Sequence, residues 1–182
     1  MEHDHGWINH LLQEAENERM HLFFFLTMRN PGVMMRSSIC VAQLLWYNFF
    51  FAFYFISPKT AHRFVGYLEE EAVHTYTVCI DCLDKGRLPI WANMKATPAA
   101  AEYYALDKDA SFRDMLLNVR ADEACHRSVN HHFSDIPSYY DINHDSVNIA
   151  QDGFKHVSED DLQEARSMLL DNRDAIEKEE RS

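Results

Sequence analysis

Glycine and proline are scarce, five of each in 182 residues. A sandwich or barrel of many short strands needs turn residues every few positions, so this scarcity argues against one and leaves long unbroken stretches that read as helix. Cysteine is scarce too: Cys40, Cys79, Cys82 and Cys125 are too few and too unevenly placed for a disulfide framework, which points to a reducing compartment. Cys79-Ile80-Asp81-Cys82 has the spacing of a redox or zinc half-site, but no strand pattern precedes it and no second such pair follows. It reads as two small apolar residues on a helix. Basic residues are the third deficit: 17 Lys and Arg face 29 Asp and Glu, a formal charge of −12. That sign argues against nucleic acid as a partner, because phosphate binding needs the opposite field. The start, Met1-Glu2-His3-Asp4-His5, lacks the apolar run of a secretory signal and the Arg and Ser richness of an organelle presequence. Either an address has been removed or the chain begins inside its domain. Apolar side chains are plentiful, 47% of residues, enough for a substantial core in a chain of one domain's length.

Hydrophobic period and punctuation place five helical stretches. The first covers about 6–29, with Ile8, Leu11, Leu12, Ala15, Leu22 and Leu26 at helical spacing, and stops at Asn30-Pro31-Gly32. The second covers 33–56 and stops at Ser57-Pro58. A third starts after Lys59-Thr60 and runs to 84, where Gly86 can take the left-handed C-terminal position and Pro89 prevents resumption. Thr97-Pro98 caps a fourth that reaches about 133, with 106–111 a candidate break. The stretch 134–157 is polar, rich in Asp and Asn and without sustained period, and reads as loop. Ser158-Glu159-Asp160-Asp161 then opens a fifth helix whose acidic first turn suits the helix dipole.

The run 37–56 carries no charge. As a helix it spans about 30 Å, long enough to cross a bilayer. Gln43 and Asn48 interrupt it, and Trp46, Tyr47, Phe49, Phe50, Phe51, Phe53, Tyr54 and Phe55 crowd its second half. Three readings stand: a spanning helix, a core helix of a soluble bundle, and a helix lying in the membrane interface with its rings at the headgroup boundary. The last accounts best for the aromatic excess.

The chemistry resides in Glu and His at helical spacing. Glu18-Arg19-Met20-His21 and Glu123-Ala124-Cys125-His126 are both ExxH, which puts a carboxylate and an imidazole on one helix face, able to grip one metal ion. The bare pattern is weak, since chance gives about one in a chain of this composition and Glu2-His5 and Glu71-His74 match it as well. Position relative to the apolar stripe adds weight. Glu18 sits in the row Leu11, Ala15, Glu18, Leu22, Phe25; Glu123 and His126 extend the row Phe112, Leu116, Val119; Glu69 falls in the row Val65, Glu69, Ala72, Tyr76, Ile80. Burying unpaired carboxylates costs several kcal/mol each, so carboxylates repeatedly aimed inward imply a cation inside. Glu71 is about 200° around the helix from Glu69 and cannot face the same ion. Two ExxH helices with single Glu residues on two more form the ligand set of di-iron carboxylate bundles. Here one lone carboxylate, Glu69, is present; the other is missing, because Glu2, Glu14 and Glu16 lie on or just before the first helix. Two ferrous ions carry four positive charges, which three carboxylates do not neutralise.

At these residues the sequence resembles the alternative oxidases, the cyanide-insensitive quinol oxidases of mitochondria. The matching blocks are Asn17-Glu18-Arg19-Met20-His21-Leu22, Leu68-Glu69-Glu70-Glu71-Ala72-Val73-His74-Thr75-Tyr76-Thr77 and Arg120-Ala121-Asp122-Glu123-Ala124-Cys125-His126-Arg127, with Val129-Asn130-His131 just beyond. The resemblance implies an all-α, ferritin-like di-iron four-helix bundle with an aromatic membrane-surface helix at 33–56. The family begins with a membrane-surface helix and then a helix whose Leu-Glu-Thr motif supplies the first iron ligand. Neither is found here, so 1–182 is expected to be a single domain, incomplete at its N-terminus and lacking those first two helices. By position, Glu18, His21, Glu69, Glu123 and His126 are implied as ligands of two iron ions, and Tyr76 as the donor of an electron and proton during O–O cleavage. Glu71 and Thr75 match residues lining the quinol pocket; Asn17, His62 and Asp122 match partners that orient ligands and carry protons. Tyr104 stands where the family often has Trp. The implied reaction oxidises ubiquinol and reduces O2 to water, in a homodimer resting on one leaflet of the mitochondrial inner membrane. The alternatives are a catalytically inactive remnant serving as a membrane-associated helical protein and, disfavoured by the aromatic helix, a soluble di-iron protein of ferritin or rubrerythrin type.

Overall fold

The structure, a computed structural model, describes residues 7–135. The helix expected from Ser158, and the stretch from 136 that leads to it, lie outside them. Six helices are present among the described residues: α1 (Trp7–Arg29), α2 (Val33–Ile56), α3 (Pro58–Asp84), α4 (Pro89–Ala92), α5 (Pro98–Tyr103) and α6 (Phe112–Asp135). There is no named strand among them, only an isolated bridge between Lys95 and Ser111.

The helix ends follow local chemistry. Helix α3 begins at Pro58, three residues earlier than the sequence suggests, because Ser57 caps it by accepting from the Thr60 backbone N–H and proline's fixed φ suits the first turn. It closes at Gly86, whose φ of +65° is the left-handed conformation expected there. The fourth stretch is divided at the candidate break, into α5 and α6. Thr97 Oγ1 accepts from Ala100 N at 3.2 Å and starts α5, which ends after one and a half turns. Ser111 and Asp114 then cap each other reciprocally, Ser111 N to Asp114 Oδ2 at 2.7 Å and Asp114 N to Ser111 Oγ at 3.2 Å, and α6 starts afresh. Between them Ala96 N bonds Ala110 O and Phe112 N bonds Met94 O, so the break is itself held. Helix α4 is a single turn beyond the sequence reading, with Pro89 opening a helix instead of preventing one.

The frame is the antiparallel pair α3 and α6, the most extensively packed pair among the described residues. Polar ties run along its length: His62 to Asn130, Arg63 to His131 and Asp135, Thr77 to Arg120, Asp84 to Arg113. One core gathers Phe24 from α1, Ile80 and Leu83 from α3, Ala100 from α5, and Phe112, Met115, Leu116 and Val119 from α6. Each large apolar side chain buried there contributes roughly 1.5–3 kcal/mol. The α6 row therefore packs as its sequence pattern predicts. The α1 row does not: Ala15 and Glu18 are exposed, and the buried residues of α1 are His21 and Phe24. Two adjacent faces of α1 carry apolar residues, and it is the one bearing His21 and Phe24 that meets α5 and α6. Helix α2 has no buried residue among the described residues, so they do not make it a core helix.

Candidate metal centre

Glu18 from α1, Glu69 from α3, and Glu123 and His126 from α6 bring one ligand atom each to within 4.8 Å of one another. His21 is beside them, its Nδ1 3.3 Å from Glu123 Oε1 and 3.6 Å from Glu18 Oε1. His126 Nδ1 lies 2.9 Å from Glu18 Oε1 and 3.6 Å from Glu123 Oε2. All five residues singled out as ligands from sequence thus converge at one place, drawn from three helices. The set is three carboxylates and two imidazoles, which suits a divalent first-row metal. A further feature fits an ion: His21 Nδ1 and Glu123 Oε2 are buried with no hydrogen-bond partner, and both point into the cluster.

Electrostatics agree. Burial raises the Glu69 carboxyl, and the facing Glu123 and Glu18 charges add to it, to about 8. Burial alone would lower His21, but the hydrogen bond to Asp122 and the adjacent Glu123 and Glu18 carboxylates overcome it and push it up to about 11. His126 rises in the same way, against burial, to about 10 through Glu123 and Glu18. Without metal, protons on the two imidazoles and on Glu69 supply the positive charge that the clustered acids demand. A metal ion would take over that role.

Around the cluster, Asp122 is the hub that orients His21. His21 Nε2 lies 3.1 Å from Asp122 Oδ2, which also accepts from Asn17 Nδ2 at 2.8 Å and from the Tyr104 hydroxyl at 2.7 Å. Holding Nε2–H on a carboxylate leaves Nδ1 turned toward Glu18 and Glu123, the carboxylate–imidazole–metal arrangement. Tyr104, singled out from the sequence as a departure from the family pattern, has a place in this network. His62 acts one step further out. Its Nδ1 is 2.9 Å from Asn130 Oδ1, and Asn130 Nδ2 donates to the His126 backbone carbonyl and to Glu14 Oε2. Tyr76 is half-buried two turns after Glu69 and stacked on Phe25; burial and then the Glu123 and Glu18 charges raise its hydroxyl, keeping the phenol protonated. Glu71 and Thr75 are exposed on α3 and do not join the cluster.

Sequence reasoning passed over Glu14 and gave Asn130 no role. Burial raises the Glu14 carboxyl to about 7. The usable signal was spacing: Glu14 precedes Glu18 by four residues and Asn130 follows His126 by four, so each stacks on a ligand along its helix.

The model of the alternative oxidase family matches residues 1–135. The chain belongs to the alternative oxidase family. It is 49% identical over 140 residues to a protein of Yarrowia lipolytica named "Alternative oxidase, mitochondrial", covering 77% of this chain and 40% of the relative. With the protein of the same name from Emericella nidulans it shares 51% over 144 residues, 79% of this chain and 41% of the relative. A third, from Batrachochytrium dendrobatidis, is named "Ubiquinol oxidase, mitochondrial" and is 49% identical over 135 residues, 74% of this chain and 42% of the relative. The chain therefore spans about two fifths of the length of these curated relatives. The converging ligands all fall inside the region that matches the alternative oxidase family.

Proposed function

We propose that this chain carries the redox centre of a mitochondrial ubiquinol oxidase, working at the inner membrane in respiratory electron transport. The supporting observation is the convergence of Glu18, Glu69, Glu123 and His126 with His21 beside them. Two iron ions held by these five residues would supply the redox chemistry, accepting electrons from quinol and delivering them to O2. The overall balance is two ubiquinols and one O2 giving two ubiquinones and two waters.

The chain's own residues have separable tasks. Asp122, held by Asn17 and Tyr104, fixes the His21 ring with Nδ1 inward. His62, through Asn130, steadies the segment of α6 that carries His126. Tyr76 keeps its phenolic proton against the neighbouring carboxylates and is placed to give up an electron and that proton to the oxygen chemistry. Glu71 and Thr75 offer polar groups on the exposed face of α3 for the quinol head. Helix α2 rests its exposed Phe49, Phe51, Phe55 and Ile56 in one leaflet, which brings a lipid-dissolved substrate to the protein. A homodimer belongs to the same reading.

One feature favours a second reading. Glu18 has 46% of its side chain exposed among the described residues. We infer that a fourth, carboxylate-bearing helix outside the described residues belongs beside Glu18; the cluster without it would bind metal at the membrane but be catalytically inactive. The test is iron content together with cyanide-insensitive oxidation of ubiquinol in vesicles. Bound iron with oxidation supports the oxidase; bound iron without it supports the second reading; no iron overturns both.

A further inference from the structure

Gly66 is buried on α3, one turn before Glu69, under the ring of His131 from α6. A Cβ placed on it would lie 2.8 Å from both Cε1 and Nδ1 of that ring and 3.0 Å from its Cγ. We propose that Gly66 is a positioning residue of the metal centre: the seat it leaves for the His131 ring sets the spacing of α3 and α6 at which Glu69 meets Glu123 and His126. The inference rests on the metal-binding reading of that cluster.

The ring is not a loose end that could give way. Arg63 donates to its Nδ1 at 3.1 Å and also pairs with Asp135. Tyr67 meets its edge at 5.2 Å between centroids and 78° between planes, and its Nε2 lies 4.0 Å from Glu70 Oε2. Residues 63, 66, 67 and 70 of α3 thus form a socket for one side chain, and the socket ends where the ligand Glu69 sits. The neighbouring bond of His62 to Asn130 fixes the same stretch of the pair. A methyl group at Gly66 must move the ring or the helices by about 0.7 Å to restore ordinary carbon contact. Metal-ligand distances tolerate only about 0.2 Å. One helical turn separates Gly66 from Glu69, too short a lever to absorb the difference.

The test is titration with Co(II), followed by its visible absorption, of the wild-type chain, Gly66→Ala, His131→Ala and the double variant, with helix content recorded for each. Gly66→Ala should keep its helices, bind Co(II) at least about tenfold more weakly and show an altered absorption band. Removing the ring that the methyl meets should restore the double variant to within about threefold of His131→Ala, a rescue that a general loss of stability would not show. Gly66→Ala binding like wild type overturns the proposal while leaving the metal centre intact, and so does a double variant that binds no better than Gly66→Ala. Should Gly66→Ala not fold, the double variant decides: folding with Co(II) affinity near that of His131→Ala supports the socket, and failure in either overturns it. A wild-type chain that takes up no Co(II) sinks the metal-binding reading and this inference with it.

Discussion

His21 and His126 are held protonated by the carboxylates they would share with a metal, and that makes metal uptake a proton exchange. Ligation requires neutral imidazoles and an ionised Glu69, whereas the metal-free chain keeps those protons up to about 11, 10 and 8. Metal affinity should therefore climb steadily from pH 6 to pH 8, as read by Co(II) titration in weakly coordinating buffer; a flat profile would show that the cluster is not the site. Stability without metal should move the other way. The two histidines are raised above their ordinary 6.5, so their contribution is complete below that pH and is lost as pH rises through 10 to 11. Glu69 and Glu14 are raised above 4.5, to about 8 and about 7, so the folded chain holds protons that the unfolded chain has released, and ionising them is destabilising. Both effects have the same sign. Thermal unfolding of the metal-free chain should shift to lower temperature between pH 5 and pH 9, and Glu69→Gln should flatten the lower part of that trend. At the same scale, Asp122→Asn weakens the hold on His21 Nε2–H and should lower metal affinity by roughly 10–100-fold, whereas Glu71→Ala should leave it unchanged.

Among the elements, legibility depended on whether one face alone could be buried. Helix α6 has a single apolar row, Phe112, Leu116 and Val119, continued by Glu123 and His126, and all five are buried as the pattern says. Helix α1 offers two apolar faces, and only its tertiary neighbours decide that His21 and Phe24 turn inward while Glu18 stays half-exposed. Local capping signals were legible at Thr97 and Gly86, whereas Ser57, read as the stop of α2, also caps α3. The break at 106–111 was legible as well, while the Ser111 and Asp114 pair that starts α6 after it, just as local, went unread. Glu14 and Asn130 were invisible for a different reason: a polar residue reads as solvent-facing until a partner from another helix is known. Helix α2 is the opposite case, legible in composition and left uncovered in three dimensions. Its exposed rings should bind vesicles of neutral lipid, and Phe51→Asp with Phe55→Asp should release the chain into the supernatant on sedimentation without altering metal binding. Persistent binding by that variant would remove α2 as the membrane contact.

Over the whole molecule, the cluster is where three helices with unequal support are tied together. The pair α3 and α6 is closely packed along its length, but α1 meets α5 and α6 at far fewer places and is anchored chiefly by His21 and Phe24. Glu18 lies one turn before those anchors, so a metal bridging it to Glu69 and Glu123 would fasten the less supported helix to the rigid pair. Binding to the folded state alone stabilises by about 2.7 kcal/mol when the free metal is one hundred times its dissociation constant. For a chain of this size that corresponds to a rise in melting temperature of roughly 5–10 °C. The gain should also be uneven. Amide exchange in α1 around Glu18 should slow markedly on metal addition, while exchange in the centre of α3 and α6 should change little. In Glu18→Ala the remaining ligands still hold an ion weakly, so part of the thermal shift should persist, but the slowing in α1 should vanish. Uniform slowing across all three helices, or slowing in α1 that survives Glu18→Ala, would mean that metal does not act as the tie between α1 and the α3 and α6 pair.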